Sequence, residues 1–546
     1  MAAIGASGWA IRRITFRHRL TTLIALAASG LLAAAIVQTP IPAASRLVQV
    51  IVHERAPRTD AAEDLIHAIG GRVTRPLPLI GGFAAEVPAS RIAGLAAAEA
   101  VADLAVDGRI RMAGTVTDLW DDLEPNLAWR KTIRLNAVPD GIDGTGVTVA
   151  LIDTGVARVE DLGNRVVARI DFTPGGNGDD AYGHGTHMAG VIAGNGAASG
   201  GKWRGVAPGA KLVSIKVAGA DGSTDVSVVI AALQWVVTHR AEYGIKVLNL
   251  SFGTDGVQPY ALDPLDAAVE RAWAAGITVV VSAGNRGPGS GTINKPADDP
   301  YVITVGAVDV KRTLDRTDDE IAPFSSRGPT PDGFEKPELV APGTTIVAAR
   351  DAGSTIDGLH PDAVLDNAYL KGTGTSQAGA IVTGIAAMMY QANPTLRPNN
   401  VKAIMMGATF RSYRYRSGGG AGMIDAATAV QNAMSTDWAN GGLTRATGNG
   451  AIEASRGRFH VTADLNHDGV LDLVSGERDV LGDAWDSTSW SSTSWSSTSW
   501  SSTTWSSLIA ENAGWSSTSW SSTSWSGMYW SSTSWSSTSW SSTTWS

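Results

Sequence analysis

Residues 147–435 alternate between continuous apolar runs, rich in β-branched side chains, and stretches with helical patterning, separated by glycine turns. The apolar runs cover residues 147–152, 211–217, 247–251, 278–282 and 302–305. Continuous apolar strands separated by helices are typical of a parallel sheet covered by helices on both faces. The pattern therefore predicts an α/β fold for this region, with a functional site at the carboxyl ends of the strands.

Residues 46–110 have a different pattern. Strand-like runs lie at 47–52, 72–74, 83–87 and 101–106, and helical stretches at 61–69 and 89–97. Gly70 and Gly71 follow the first helical stretch, and glycine commonly ends a helix. The resulting β-α-β-β-α-β order predicts a small ferredoxin-like α+β domain, and an unrelated small α+β domain is the alternative.

Residues 1–45 are predicted to be an export signal. Arg12, Arg13, Arg17 and Arg19 precede the uncharged residues 20–37, and small residues follow at 43–45. This order is typical of a secretory signal peptide. A retained membrane anchor is the alternative, because residues 20–37 are near the minimum length of a bilayer-spanning helix. The protein is therefore expected to be secreted, or to stay at the cell surface tethered by residues 20–37.

The end of the chain, residues 485–546, is a low-complexity tail in which tryptophan recurs every five residues among serine and threonine. Ala510 occupies the one skipped position, so the register is kept. A period of five matches neither a helix nor a simple strand. A disordered stalk, stacked coils with aligned rings, and exposed tryptophans that contact carbohydrate or the cell surface all remain open. Residues 436–484, which precede the tail, are predicted to be a linker.

Length, charge and cysteine content limit the number of domains, the kinds of partner and the kinds of site that are expected. A chain of 546 residues exceeds what one hydrophobic core supports, so several domains are expected. The formal net charge of -9 argues against a nucleic-acid partner, since no basic stripe is present to neutralise phosphates. The absence of cysteine excludes disulfides and thiolate metal sites.

Four polar residues lie in turns that follow predicted strands or begin predicted helices. Asp153 ends the first apolar run, His184 lies between two glycines, Asn285 follows Ser-Ala-Gly, and Ser376 lies in Gly-Thr-Ser-Gln. Each has an ordinary explanation, because Asp, Asn and Ser often form turns or helix caps, and His184 with His187 has the spacing of two metal ligands. Metal binding is disfavoured, since no third ligand with suitable spacing is evident nearby.

Taken together, the four residues supply what acyl transfer needs. The reaction requires a nucleophile, a base that takes its proton, a carboxylate that orients the base, and a donor for the oxyanion. The chain order Asp, His, Asn, Ser differs from the orders in chymotrypsin and in the α/β-hydrolases. The four residues therefore indicate a hydrolytic site in a fold that differs from both of these.

The chain resembles the subtilase (subtilisin-like) family of serine peptidases over residues 147–430. Besides the three triad segments, the matching motifs are Gly-Val-Ala-Pro at 205–208, Leu-Asn-Leu-Ser-Phe-Gly at 248–253, Phe-Ser-Ser-Arg-Gly-Pro at 324–329, Lys-Pro-Glu-Leu-Val-Ala-Pro-Gly at 336–343 and Gly-Met-Ile-Asp-Ala-Ala at 422–427. The resemblance implies a subtilisin-like peptidase domain over 147–435. It also implies that 46–110 is an inhibitory propeptide and that 111–146 contains the processing linker and the start of the mature enzyme.

The resemblance implies a role for each candidate residue. Ser376 is the nucleophile, His184 is the base that Asp153 orients, and Asn285 is the oxyanion donor. Nine residues are expected to bind extended substrate or to border the pocket for the residue before the cut: Ser251, Phe252, Gly253, Asp221, Gly222, Ser223, Ser282, Ala283 and Gly284. The chemistry itself needs no cofactor.

The function implied is a secreted serine endopeptidase that is made as an inactive precursor. It cuts its own propeptide between about residues 107 and 131 and then acts on other proteins. Its partners are polypeptide substrates and its own propeptide, which acts as an intramolecular inhibitor. The alternative is a non-catalytic surface adhesin or scaffold that presents the tryptophan tail, which the complete set of catalytic residues disfavours.

Two features depart from the family pattern. Ala380 stands where a proline is usual, and Gln377 where a methionine is common. Because proline near a helix start sets the backbone and makes no catalytic contact, we expect slightly looser positioning of Ser376 with activity retained. Residues 353–370 exceed what the family core needs, and we expect them to shape substrate access.

An acidic stretch at 464–472 matches the start of a calcium loop. Asp464, Asn466, Asp468 and Asp472 supply oxygen ligands, with glycine at the bend. Ser475 stands where the loop needs its closing carboxylate. A calcium site that stabilises the fold and an acidic turn that binds no metal both fit this pattern.

Overall fold

The computed structural model describes residues 47–55, 59–77, 82–106, 125–173, 177–412, 415, 417–466, 470–486, 519–520 and 522–524. The chain divides into two compact units, Met1–Ala113 and Gly114–Ser546. The predicted leader, residues 1–45, lies outside the described residues. Within the part that is described, no helix is long and apolar enough to cross a membrane.

The first unit is a four-stranded antiparallel sheet with two short helices. Its elements are β1 (Leu47–Glu54), α1 (Ala61–Ala68), β2 (Arg72–Leu77), β3 (Gly82–Pro88), the 3₁₀ turn Ala89–Arg91, α2 (Ile92–Ala96) and β4 (Val101–Val106). The strand order is β2-β3-β1-β4, and Val50 of β1 pairs with Ala85 of β3 and Val106 of β4. Ile66 of α1 and Phe83 of β3 are buried in the small core beneath this sheet.

The second unit contains the larger sheet and most of the helices. Its strands are β5 (Thr148–Asp153), β6 (Val166–Asp171), β7 (Lys211–Lys216), β8 (Ile245–Leu250), β9 (Phe252–Gly253), β10 (Thr278–Ser282), β11 (Ile303–Asp309), β12 (Glu320–Ile321), β13 (Leu339–Pro342), β14 (Ile346–Ala349), β15 (Val364–Leu365), β16 (Tyr369–Gly374), β17 (Thr409–Phe410), β18 (Met423–Ile424), β19 (Thr462–Ala463), β20 (Asp472–Leu473), β21 (Ser519–Trp520) and β22 (Ser522–Ser524).

The α-helices of the second unit connect these strands. They are α3 (Ala128–Thr132), α4 (His184–Ala193), α5 (Val226–Tyr243), α6 (Pro264–Ala274), α7 (Thr355–Leu359), α8 (Thr375–Ala392), α9 (Pro398–Gly407), α10 (Ala426–Gln431) and α11 (Ile452–Arg456). Short 3₁₀ turns lie at Pro125–Leu127, Leu135–Ala137, Gly163–Arg165, Ala197–Ser199, Pro361–Ala363 and Asn432–Met434.

The main sheet has the strand order β17-β18-β13-β11-β10-β8-β5-β7-β6, with β12 added beside β11. All pairs from β18 to β6 along this order are parallel, while β17 and β12 are antiparallel to their neighbours. All six residues of β5 are buried, and successive side chains of a strand point to opposite faces. Both faces of the sheet are therefore covered here, which confirms the predicted α/β fold.

Helix α8 is buried along most of its length, from Thr375 to Tyr390. Gly384 allows this close packing, because a Cβ there would lie 2.6 Å from the Cβ of Val206. At the far end of the helix, the Tyr390 hydroxyl is 2.9 Å from the hydroxyl of Thr278 in β10. The amino end of α8 lies at the carboxyl edge of the sheet, where the Thr375 N–H donates to Asn285 Oδ1.

Residues 452–466 and 470–484, which fall in the predicted linker, pack against the elements of the larger sheet. Ile452, Val461, Val474 and Val480 belong to the same hydrophobic core as the main sheet. Arg456 of α11 is fully buried, and its Nε donates to Asp225 Oδ2 at 2.8 Å. Asp225 caps the amino end of α5, so this ion pair joins the segment to the body of the domain.

Candidate active site

Asp153 is the last residue of β5, at the carboxyl edge of the sheet between β7 and β8. Its side chain is fully buried, and Oδ1 accepts hydrogen bonds from the Thr154 N–H at 2.8 Å and from His184 Nδ1 at 2.7 Å. A carboxylate in this position fixes the tautomer of the imidazole, because the Nδ1 proton is committed to it and Nε2 is left as the base.

His184 is the first residue of α4, and two glycines allow it to reach Asp153. Gly183 has a positive φ of 103°, which permits the sharp entry into the helix. Gly185 lies against the strand end, since a Cβ there would be 3.1 Å from Asp153 Oδ1 and would overlap the Gly155 carbonyl. The structure therefore explains why glycine flanks His184 on both sides: a larger residue would disturb the entry into the helix or its contact with the strand end.

Asp180 positions the start of α4, a role that the sequence analysis did not identify. Its Oδ1 accepts from the Gly183 N–H at 2.7 Å and the Thr154 hydroxyl at 2.8 Å. Its Oδ2 accepts from the Thr186 N–H at 2.8 Å and the Thr186 hydroxyl at 2.7 Å. One buried carboxylate thus holds both the helix that carries His184 and the loop after Asp153. An aspartate just before a predicted helix start is the sequence signal for such a cap.

Ser376 is the second residue of α8 and is fully buried. Its Oγ lies 3.2 Å from His184 Nε2 and 3.2 Å from the backbone oxygen of Ser251. The structure thus places Asp153, His184 and Ser376 in one continuous chain of contacts, in the geometry expected of a nucleophile, its base and an orienting carboxylate.

Asn285 follows β10 and faces the beginning of α8. Its Oδ1 accepts from both the N–H and the hydroxyl of Thr375, each at 3.0 Å. Its Nδ2 is buried and has no hydrogen-bond partner among the residues that the structure describes. A buried amide donor without a partner is costly, so its presence beside the nucleophile is typical of a group that serves a reacting oxygen.

Burial shifts the pKa values of two groups at this site, Asp153 and His187. Burial raises the pKa of Asp153, while the charge and hydrogen bond of His184 and the Thr154 N–H lower it in part. Burial also lowers the pKa of His187 to about 3, with the nearby His184 as the second cause. His187 is therefore neutral at ordinary pH, and its Nε2 lies 3.2 Å from the Leu370 carbonyl oxygen. It supports the structure beside His184 without adding a positive charge there.

The predicted substrate-binding residues lie at the carboxyl edge of the sheet. Ser251 precedes β9 (Phe252–Gly253), which pairs with β21 of the tail. Ser282 ends β10, residues 283–284 follow it, and the Gly284 N–H donates to the Thr375 hydroxyl at 3.2 Å. Residues 221–223 form a turn after β7, in which Asp221 accepts from the N–H and the hydroxyl of Ser223. Pairing of a substrate strand with these residues stays a prediction.

The segment 353–370 borders the same edge. Thr355, at the start of α7, donates from its N–H to the Ala181 carbonyl at 3.1 Å and from its hydroxyl to the Ala220 carbonyl at 2.6 Å. It therefore contacts both the loop that leads to His184 and the loop that leads to residues 221–223. Ala380, which replaces the usual proline, is buried within α8.

The predicted calcium ligands are only partly described. Asp472 begins the short strand β20 and pairs with Ala463 of β19, while Asp468 lies outside the described residues. Within the described ranges there is no group of three or more His, Asp or Glu residues arranged to hold a metal ion, at this stretch or at His184 and His187. A calcium site in 464–472 stays a prediction.

Comparisons with known proteins agree with this geometry. The model of the subtilase family matches residues 144–450, more than half of the chain. Serine protease AprX of Bacillus subtilis (strain 168) is 41% identical over 274 residues, which are 49% of this chain and 62% of that protein. Subtilisin DY of Bacillus licheniformis is 34% identical over 266 residues, 48% of this chain and 83% of that protein. Subtilisin Savinase of Lederbergia lenta is 36% identical over 256 residues, 47% of this chain and 80% of that protein.

The matched residues contain the whole carboxyl edge described above, from the end of β5 to the start of α8. The matched region also extends past residue 435 to residue 450, in keeping with the packing of the following segment on the core. The chain belongs to the subtilase family.

Proposed function

We propose that this protein is a serine endopeptidase that hydrolyses peptide bonds through an acyl-enzyme on Ser376. The observation that carries the proposal is the buried contact chain from Asp153 through His184 to Ser376, together with Asn285 Nδ2, which has no partner within the described part of the chain. The family match and the relatives named as serine proteases support the same reaction class.

Acylation begins when Ser376 Oγ attacks the carbonyl carbon of the scissile peptide bond. The Oγ proton passes to His184 Nε2, 3.2 Å away, and the imidazolium that forms is stabilised by Asp153. His184 then gives this proton to the leaving amine as the C–N bond breaks. Water attacks the acyl-enzyme in the same way, with His184 again taking and returning the proton.

The tetrahedral intermediates place a negative charge on the former carbonyl oxygen. Asn285 Nδ2 and the Ser376 N–H are the donors that receive it in this mechanism. Because Thr375 holds Asn285 Oδ1 with two hydrogen bonds, the amide is already oriented before substrate arrives. Little reorganisation is then needed in the transition state.

The substrates are polypeptides in extended form. Recognition through main-chain pairing with β9 and with residues 221–223 tolerates many side chains, which suits an endopeptidase of broad specificity. Residues 282–284 border the pocket for the residue before the cut. No cofactor takes part in these steps, and calcium at 464–472, if bound, serves stability.

The precursor is exported and matures by its own activity. Residues 46–110 act as the inhibitory propeptide, and the first cut falls between about residues 107 and 131. The mature enzyme is secreted, or remains at the cell surface when residues 20–37 are not cleaved. These steps follow from the leader sequence and from the domain order along the chain.

The test is mass spectrometry of the full chain after reaction with a fluorophosphonate. Wild type is compared with Ser376→Ala and with Ser435→Ala, a serine outside the site. Wild type and Ser435→Ala are expected to carry the label on Ser376 and to lose the propeptide, whereas Ser376→Ala stays full length and unlabelled. The new amino terminus also identifies the processing site.

Full-length, unlabelled protein in all three samples, with folding verified by circular dichroism, would overturn the proposal. The non-catalytic adhesin would then take its place. Propeptide loss in Ser376→Ala as well as in wild type would separate the two parts of the proposal, since it would assign processing to another protease.

A further inference from the structure

The tail pairs with the strand that is expected to bind substrate. Residues Ser519–Trp520 form β21 and pair antiparallel with β9, with Ser519 opposite Gly253 and Trp520 opposite Phe252. Ser251, the residue before β9, accepts from Ser376 Oγ through its backbone oxygen. One stretch of the tail therefore follows the main chain on one side of the nucleophile.

The next stretch of the tail pairs on the other side. Ser522–Ser524 form β22 and pair antiparallel with the end of β16, with Ser522 opposite Gly374 and Ser524 opposite Thr373. Gly374 immediately precedes α8, which begins with Thr375 and Ser376. This second contact is independent of the first, because it involves a different strand and a different sheet.

The two stretches are separated by one residue in the sequence and flank Ser376. Residues 519–520 are held by β9 on one side of Ser376, and residues 522–524 are held by β16 on the other. A peptide substrate has the same requirement, because the residues before and after its scissile bond must be held on opposite sides of the attacking oxygen. The tail thus follows the path of a substrate main chain.

We propose that the Ser/Trp repeats of residues 485–546 bind in the substrate cleft as an intramolecular ligand and compete with polypeptide substrates. This inference rests on the proposed function, since it assigns an occupant to the same cleft. The interaction is main-chain pairing of an extended segment with two strand edges, which gives affinity without a demand for particular side chains.

The sequence of the tail suits this role. The six residues 519–524, Ser-Trp-Ser-Ser-Thr-Ser, recur at 489–494, 494–499 and 534–539, so several copies can present the same segment to one cleft. Residues 487–546 contain no proline and one charged side chain, Glu511. Proline would interrupt main-chain pairing, so its absence leaves every repeat able to form a strand.

Tethering makes even a weak ligand effective. A segment on a short flexible connection has an effective concentration of about 1 mM. A repeat that binds with a Kd of about 0.1 mM would then raise the apparent KM for an external substrate about tenfold, with kcat unchanged.

The experiment uses full-length variants in which the tail keeps its length. In the first, proline replaces Ser522 and every other serine that lies two residues after a tail tryptophan, which removes the main-chain donor at that position of the repeats. The matched control has proline at Ile509, Glu511 and Ala513, in the interruption between the repeats. Apparent KM for a chromogenic peptide and the rate of fluorophosphonate labelling of Ser376 are measured for both variants and for wild type.

The repeat variant is expected to have a KM about tenfold lower than wild type and to be labelled about tenfold faster, with an unchanged kcat, while the control resembles wild type. A synthetic peptide of residues 515–524 is expected to inhibit the repeat variant competitively. Equal KM and equal labelling in all three proteins, or a peptide that does not inhibit at millimolar concentration, would refute the tail as occupant and leave the protease function intact. No labelling and no hydrolysis in any of the three would refute the proposed function, and this inference with it.

Discussion

Replacement of Thr375 by valine tests whether the amide of Asn285 must be held in place before substrate arrives. The Thr375 hydroxyl donates to Asn285 Oδ1 at 3.0 Å and accepts from the Gly284 N–H at 3.2 Å. Valine keeps the shape of threonine and removes both interactions, while the Thr375 N–H still donates to Asn285 Oδ1 at 3.0 Å. The variant therefore loses one of the two bonds that orient the oxyanion donor.

The size of the effect follows from what is lost. One neutral hydrogen bond contributes about 1 kcal/mol, which corresponds to roughly fivefold in rate if it acts only in the transition state. Complete loss of the donor in Asn285→Ala is expected to lower kcat by about 100-fold to 1,000-fold, the range known for the oxyanion asparagine of subtilisin. Thr375→Val should therefore lower kcat by about fivefold with KM nearly unchanged, a small fraction of the effect of Asn285→Ala.

The assay is hydrolysis of a chromogenic peptide, with the concentration of active sites measured by titration. Thr375→Ser, which keeps the hydroxyl, is the control and should retain wild-type kcat within about twofold. In the Asn285→Ala background, Thr375→Val should have no further effect on kcat, because the two residues act as one unit. A full fivefold loss in that background, or an effect on KM alone, would show that Thr375 does not act through Asn285.

Three other substitutions test the supports of the site and of the fold. Asp180→Ala removes the acceptor of five hydrogen bonds at the start of the helix of His184, so kcat should fall by about 100-fold with little change in KM; a rise in KM with unchanged kcat would argue against a positioning role. Burial raises the pKa of Glu270 to about 9, above its value in the unfolded chain, so wild-type stability should decline as the pH rises from about 5 towards 9. Glu270→Gln should flatten this decline in urea midpoints, and parallel profiles for the two proteins would contradict the assignment. Arg456→Met leaves the buried Asp225 without its cation and should lower the free energy of unfolding by about 3–5 kcal/mol, part of which Asp225→Asn should restore in the double variant.

Much of the fold could be predicted from hydrophobic patterning. The apolar runs predicted at 147–152, 211–217 and 247–251 correspond to β5, β7 and β8, which are parallel neighbours in the sheet, because strands buried on both faces are rich in apolar side chains. The packing of 452–466 and 470–484 was not predictable in this way. Its attachment depends on a buried pair, Arg456 with Asp225, whose partners are 231 residues apart.

In the candidate site, too, local sequence predicted some residues, whereas the importance of others depends on contacts with distant residues. Local sequence identified Asp153 at a strand end and His184 and Ser376 at helix starts, since glycine-rich turns and apolar runs determine these positions. It missed Asp180 and Thr375, whose importance lies in which groups their side chains contact. An aspartate before a helix or a threonine before a serine is too common to indicate such contacts.

The sequence by itself therefore determined which residues end strands and begin helices, because these properties depend on neighbours within a few positions, and it predicted which of them supply the chemistry. Only the tertiary structure decided the 2.7 Å and 3.2 Å contacts of His184, the buried Nδ2 of Asn285, which has no partner among the described residues, and the pairing of β21 and β22 with β9 and β16. Those features depend on the order of strands in the sheet, in which β5 lies between β7 and β8 although β6 follows it in the chain. Strand order results from packing of the whole core, and no local pattern encodes it.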